Sequence, residues 1–188
     1  NNAPNSMTVM ALSSRGNLFR APDTYMNKLV VSSTYKNVVS IDFSIEKNIN
    51  NMISISGKTN NEIIAIVLDR PRNQYIVDQL NSLDVKVEMI SDGDIAASLR
   101  VASKEADIYM GIGSAPEGVI GATAVKGLNG FFDGRLHFHS EEAKKRAMEM
   151  SGDLINKKIN IDKLCSSENS MFIATGVCDG WIPGVEIN

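Results

Sequence analysis

Residues 63–110 read IIAIVLDRPRNQYIVDQLNSLDVKVEMISDGDIAASLRVASKEADIYM, and this stretch decides the fold class. It contains three short apolar runs, at 63–68, 85–90 and 107–110, each bounded by turn residues as buried strands are. The spacers have helical spacing: Ile76, Leu80 and Leu83 in the first, Ile95, Leu99 and Ala102 in the second. Val67, Val87 and Ile108 recur every 20 and 21 residues, the period of a strand–helix–strand unit. The alternation predicts an α/β fold with a largely parallel sheet, flanking helices and right-handed crossovers.

Working outward, residues 119–128 are apolar and alanine-rich, and fit a helix ending near Gly127 or Gly130. Residues 7–12 and 38–43 read as strands, and 45–55 as a helix despite its asparagines. Residues 140–150 form a surface helix, with Ser140 as N-cap, Glu141 and Glu142 in the first turn and Lys144 to Arg146 after them. Residues 171–174 read as a further strand, closed by Thr175-Gly176. With no repeat, linker or low-complexity segment, residues 1–188 are expected to form a single domain.

Composition narrows the class of function. The chain is 43% hydrophobic and 22% charged, as in globular proteins, and no apolar run approaches the roughly 18 residues of a membrane span. The net charge of −3 and the lack of a basic cluster argue against nucleic acid as a partner. The first residues carry no signal-peptide pattern and no initiator Met, which fits a processed chain or a fragment. Cys165 and Cys178 have no metal-type spacing and read as reduced thiols in a cytoplasmic protein.

In an open parallel sheet, ligands bind beyond the carboxyl ends of the strands. That rule selects the turns at 69–72, 91–94 and 111–118 and the Thr175-Gly176 end. Arg70 and Arg72 flank Pro71, which stiffens the turn; their guanidinium groups suit phosphate oxygens, or form only surface ion pairs. Asp94 is a natural N-cap for a helix starting at Ile95, whereas Asp92 is left to meet sugar hydroxyls or solvent. Gly111 and Gly113 imitate a dinucleotide fingerprint, but Pro116 stands where the third glycine belongs. A helix start fits better, with Ser114 or Ala115 at the N-cap and Pro116 next. Glu117 then complements the helix dipole or faces a cation. His137 and His139 alternate as in a strand, without a third ligand of matching spacing.

At these same turns the sequence resembles a known family. Ala21-Pro22-Asp23-Thr24-Tyr25-Met26-Asn27-Lys28-Leu29, Arg70-Pro71-Arg72, Ser91-Asp92-Gly93-Asp94-Ile95-Ala96-Ala97 and Gly111-Ile112-Gly113-Ser114-Ala115-Pro116-Glu117-Gly118 occur in this order. Gly134-Arg135-Leu136 and Phe172-Ile173-Ala174-Thr175-Gly176 follow. Together they are similar to class II fructose-1,6-bisphosphatases, of the metal-dependent, lithium-sensitive sugar phosphatase superfamily, and the likeness covers nearly the whole chain. The resemblance implies the second, C-terminal half of a layered α/β/α/β/α fold. It also implies a gluconeogenic hydrolase that releases the 1-phosphate of fructose 1,6-bisphosphate with Mg²⁺ or Mn²⁺.

Position by position, the resemblance implies substrate contacts at Tyr25, at Arg70, Pro71 and Arg72, and at Asp92, Gly93 and Asp94. Ser114 falls where the family usually has a substrate-contacting glycine, and Glu117 matches a ligand of a divalent cation. The family's Asp-Pro-Ile-Glu-Gly-Thr motif, with two further metal carboxylates, is expected before Asn1 and is absent here. The expected partners are therefore the sugar bisphosphate, further copies of the chain in a homo-oligomer, and the N-terminal half. The chain alone is expected to be inactive. The competing expectation is a non-catalytic module that binds a sugar phosphate or serves assembly, with a nucleotide-binding domain as a more distant third.

Overall fold

The computed structural model describes residues 6–151, 154 and 156–185. At its centre is a six-stranded sheet. In chain order its strands are β2 (Tyr25–Val31), β3 (Ile64–Leu68), β4 (Lys86–Ile90), β5 (Ile108–Ser114), β6 (Phe131–His137) and β7 (Ile159–Asn160). They lie in the spatial order β4-β3-β5-β2-β6-β7. A separate antiparallel pair joins β1 (Met7–Leu12) to β8 (Met171–Gly176). The helices are α1 (Ile45–Ser56), α2 (Gln74–Ser82), α3 (Asp94–Ala102), α4 (Ala115–Gly127), α5 (Glu141–Ser151) and α6 (Ile161–Leu164).

The three strands expected from the 20-residue period run parallel, β3 against both β4 and β5. Beyond β5 the direction reverses: β2 is antiparallel to β5 and β6, and β6 to β7, so the sheet is mixed. Two expectations need correction. Residues 38–43 are turns rather than a strand, because the fully buried Asn48 side chain takes the place of a strand neighbour. Its amide accepts from Ser40 N–H at 2.9 Å and donates to Ser40 C=O at 3.0 Å. Residues 111–114, read as loop, are the end of β5, held there by pairing of Ser114 with Tyr25 and Gly113 with Met26.

Side-chain alternation divides the core between the two sheet faces. Leu29, Val31, Ala65, Val67 and Ile108 pack with Ile45, Ile49 and Met52 of α1 and Ile76 and Leu80 of α2. On the opposite face Met26, Val30, Ile66, Tyr109 and Phe132 pack with Ala97 and Val101 of α3 and Val119, Ala122 and Val125 of α4. The second helix of that pair is apolar and largely buried between its charged end turns, since it also packs against β1 and β8. The outcome is helices, sheet, helices and a small sheet in succession. Among the described residues no helix is long and apolar enough to cross a membrane.

Candidate functional site

The turn at 70–73 meets the last residues of β5, whereas the Thr175-Gly176 end selected by the strand-end rule lies outside this sheet, in the antiparallel β1–β8 pair. Asn73, wholly buried, sets the geometry on one side: its side chain donates to Leu68 C=O at 3.1 Å and accepts from Ile112 N–H at 2.8 Å. That clamp fixes the Arg70–Asn73 turn against the strand end. Arg72 then lies with its guanidinium carbon 4.4 Å from the Tyr25 ring centroid, and its Nε donates to Ile112 C=O at 2.8 Å. Tyr25 stands opposite Ser114 on one side and His137 on the other. Its ring meets that of His139 edge-on at 5.5 Å. Partial burial, then Arg72 and His139, push the His137 pKa down. Arg70 bends back, donating to Asp69 C=O at 2.7 Å in an exposed position.

On the other side of β5 lies a cavity of about 620 Å³. Asp92, Gly93, Asp94 and Glu117 line it, with Arg100, Met7 and Val9 from β1, and Trp181. Tyr25, Arg70, Arg72 and Ser114 are outside that lining, so the expected residues form two adjoining groups rather than one. Gly93 adopts a left-handed backbone (φ 102°), a conformation only glycine takes without strain, and it occupies the N-cap position of α3. Asp94 is accordingly the first helical residue and not the expected cap; no side chain caps this helix.

The Asp94 carboxylate turns inward instead. One oxygen accepts from Tyr109 Oη at 2.8 Å, and the other pairs with Lys28 Nζ. Lys28, Asp94 and Tyr109 are all buried. A β-carbon on Gly113 would lie 1.8 Å from Asp94 Oδ2, and one on Gly118 would lie 2.8 Å from Met26 Sδ and 3.3 Å from Lys28 Cε. Gly113 therefore makes room for the carboxylate of a buried ion pair, and Gly118 chiefly for Met26 beside it. Burial lowers the Lys28 pKa and Asp94 opposes that shift. At Glu117, partial burial followed by the Asp94 charge pushes the pKa up, and Lys28 pulls it back.

Sequence reasoning missed Lys28, Tyr109 and Asn73. Lys28 sat inside a quoted motif, but a lysine in a strand reads as solvent-facing. Nothing in the sequence signals the other two.

An α/β domain that gathers polar groups at the carboxyl edge of parallel strands belongs to the ligand-binding class of open-sheet folds. More narrowly, the chain belongs to the family of bacterial fructose-1,6-bisphosphatases, glpX-encoded, which it matches over residues 1–188. Among curated proteins it is 34% identical to the D-fructose 1,6-bisphosphatase class 2/sedoheptulose 1,7-bisphosphatase of Trichodesmium erythraeum, over 93% of this chain and 55% of that one. The protein of the same description from Prochlorococcus marinus strain MIT 9301 is 36% identical, over 96% of this chain and 59% of that one. The fructose-1,6-bisphosphatase class 2 of Haemophilus influenzae is 33% identical, over 94% and 57%. The chain thus spans little more than half the length of these relatives.

Proposed function

We propose that the natural polypeptide carrying this chain hydrolyses the 1-phosphate of fructose 1,6-bisphosphate, giving fructose 6-phosphate and phosphate, and that these residues supply its sugar-phosphate pocket. One observation carries the reading: Arg72 is held rigidly by a backbone carbonyl and an aromatic ring, neither of which neutralises its charge. Among the described residues Arg72 forms no salt bridge. A pre-positioned, uncompensated guanidinium beside a carboxylate-lined cavity suits a ligand with phosphate at one end and hydroxyls at the other. Arg72 binds a phosphate, Tyr25 fixes the guanidinium plane, and Asp92 and the Gly93 turn accept sugar hydroxyls. Arg70 and Ser114 contribute at the rim.

The family's cation, Mg²⁺ or Mn²⁺, would be met here by Glu117. A divalent cation of this kind favours about six oxygen donors, usually with more than one carboxylate. Among the described residues no group of three or more His, Cys, Asp or Glu side chains could hold a metal ion, and this supports a reading in which further ligands come from outside these residues. When bound, such cations activate water and neutralise phosphate charge. The residues of this chain bind and orient the sugar and hold one carboxylate toward that position.

Phosphate release from fructose 1,6-bisphosphate and sedoheptulose 1,7-bisphosphate, measured on the natural polypeptide with Mg²⁺ and with Mn²⁺, tests the reading. Arg72→Ala is expected to raise KM about 10- to 100-fold with a smaller change in kcat, the size of a lost charge-assisted hydrogen bond. Sugar-phosphate binding without any phosphate release would favour the non-catalytic module instead.

A further inference from the structure

We infer that Lys28 is a positioning residue for the acidic substrate turn: with Tyr109 it holds the Asp94 carboxylate, and through it the Asp92–Gly93–Asp94 turn, in the geometry that receives the sugar. This rests on the function proposed above. Lys28 sits on β2, in the interior of the sheet, and is 1% exposed. Its neighbours along the same face, Met26 and Val30, belong to the apolar cluster under α3 and α4. A lysine there is out of place in a core built for packing, and its ammonium finds one carboxylate, Asp94.

Stability alone does not account for the pair. Two buried charges lose their hydration, and a well-packed apolar pair of similar volume is commonly as stable or more so. Here the pair also requires a residue without a β-carbon at Gly113, which enlarges the cost to the core. What an apolar pair cannot do is fix a carboxylate at a cavity wall. Asp94 is the first residue of α3 and lines the cavity, while Lys28 and Tyr109 take one lone pair from each of its oxygens. Each oxygen keeps a second lone pair, and the carboxylate has one orientation in which to offer it. Because Asp94 follows Gly93 directly, the same restraint fixes the left-handed turn and the direction of Asp92. The charges of Glu117 and Arg72 also act on Lys28, in opposite senses and more weakly than Asp94.

A double-mutant cycle on the natural polypeptide separates positioning from mere support. KM for fructose 1,6-bisphosphate is measured for Lys28→Met, Asp94→Asn and the double variant, with thermal melts confirming the folded fraction. If Lys28 acts through Asp94, each single change raises KM by about tenfold and the double variant exceeds the larger single effect by no more than about twofold. Multiplying effects, or an unchanged KM in Lys28→Met, would overturn the inference. Should Lys28→Met not fold, Tyr109→Phe removes one hydroxyl from the same carboxylate. A KM rise of about threefold that vanishes in the Asp94→Asn background is then expected, and a rise that persists there overturns the inference. A wild-type protein that releases no phosphate overturns the function reading itself. A wild type that does, with KM indifferent to Lys28, overturns only this step.

Discussion

An alanine at position 113 would set its β-carbon 1.8 Å from Asp94 Oδ2 and 2.7 Å from Cγ. The neighbouring atoms belong to a carboxylate already tied to Lys28 and Tyr109, so they have little freedom to retreat. Gly113→Ala should therefore destabilise the protein by about 1–3 kcal/mol, as overpacked cores do, and a chemical denaturation curve measures it. An unchanged midpoint would mean that Asp94 is not held where it is described. The tyrosines give a second test at this scale. Burial first, and then the bond to Asp107, push the Tyr35 pKa up to about 12; burial and then Asp94 raise that of Tyr109 well above its usual value. A raised phenol pKa favours the neutral form in the folded state. Its stabilising contribution is complete below the unfolded value near 10 and is lost as pH rises through the folded value. Near pH ~11, guanidinium denaturation should thus give a jump in phenolate absorbance of about two of the four tyrosines from Tyr35 and Tyr109, with a further part from Tyr75, whose pKa burial also raises. A smooth titration with no jump on unfolding would contradict the burial of both.

The elements differ in how plainly they announce themselves. β3 and β4 lie beside helices of regular spacing with turn residues at their ends, whereas β5 runs on to Ser114 through glycines that read as a loop. β2 and β6 carry no such signal in the sequence. The segment YMNKLVV carries Asn27 and Lys28 in its middle, so its pattern resembles neither an alternating nor a continuous apolar strand. The explanation is tertiary: Lys28 is buried because Asp94 waits for it 66 residues away, which no local pattern contains. In the same way, residues 38–43 have strand-like composition, but the side chain of Asn48 takes up the backbone groups a sheet would need. The site shows the same division. The turns that carry Arg72, Asp92 and Glu117 follow from strand ends and residue chemistry, whereas the clamp and the buried triad depend on contacts across the sheet. Asn73 shows what such a contact contributes. Asn73→Ala would deprive Ile112 N–H of its side-chain acceptor, while Leu68 C=O keeps the Arg70 N–H, at a cost of about 1–3 kcal/mol. It should also loosen the turn bearing Arg72, raising KM more than it lowers kcat. Steady-state kinetics beside a denaturation curve would expose either half of that expectation as wrong.

At the scale of the whole molecule, binding and chemistry make different demands. Binding a sugar bisphosphate asks for a cationic group, hydrogen-bond acceptors and a cavity, and Arg72, the Asp92–Asp94 turn and the space beside β5 offer these within 188 residues. Hydrolysis with a divalent cation asks for several oxygen ligands in near-octahedral geometry. Here Tyr109 and Lys28 each take one lone pair of the Asp94 carboxylate, Glu117 has Asp94 and then Asp92 as its acidic neighbours, and no group of three metal-ligating side chains forms among the described residues. Water not bound to a metal keeps a pKa near 15.7, so a site that does not fix its cations leaves the attacking nucleophile unactivated. The expected outcome is that the isolated chain binds fructose 1,6-bisphosphate but releases no phosphate at millimolar Mg²⁺ or Mn²⁺, whereas the natural polypeptide does so at a rate that Glu117→Gln reduces by orders of magnitude. Calorimetry on the isolated chain and a phosphate-release assay on both read the two halves of this expectation separately. Metal-dependent turnover by the isolated chain, abolished by Glu117→Gln, would show that a complete cation site can form around Glu117 from these residues alone, and would overturn the division of labour argued here.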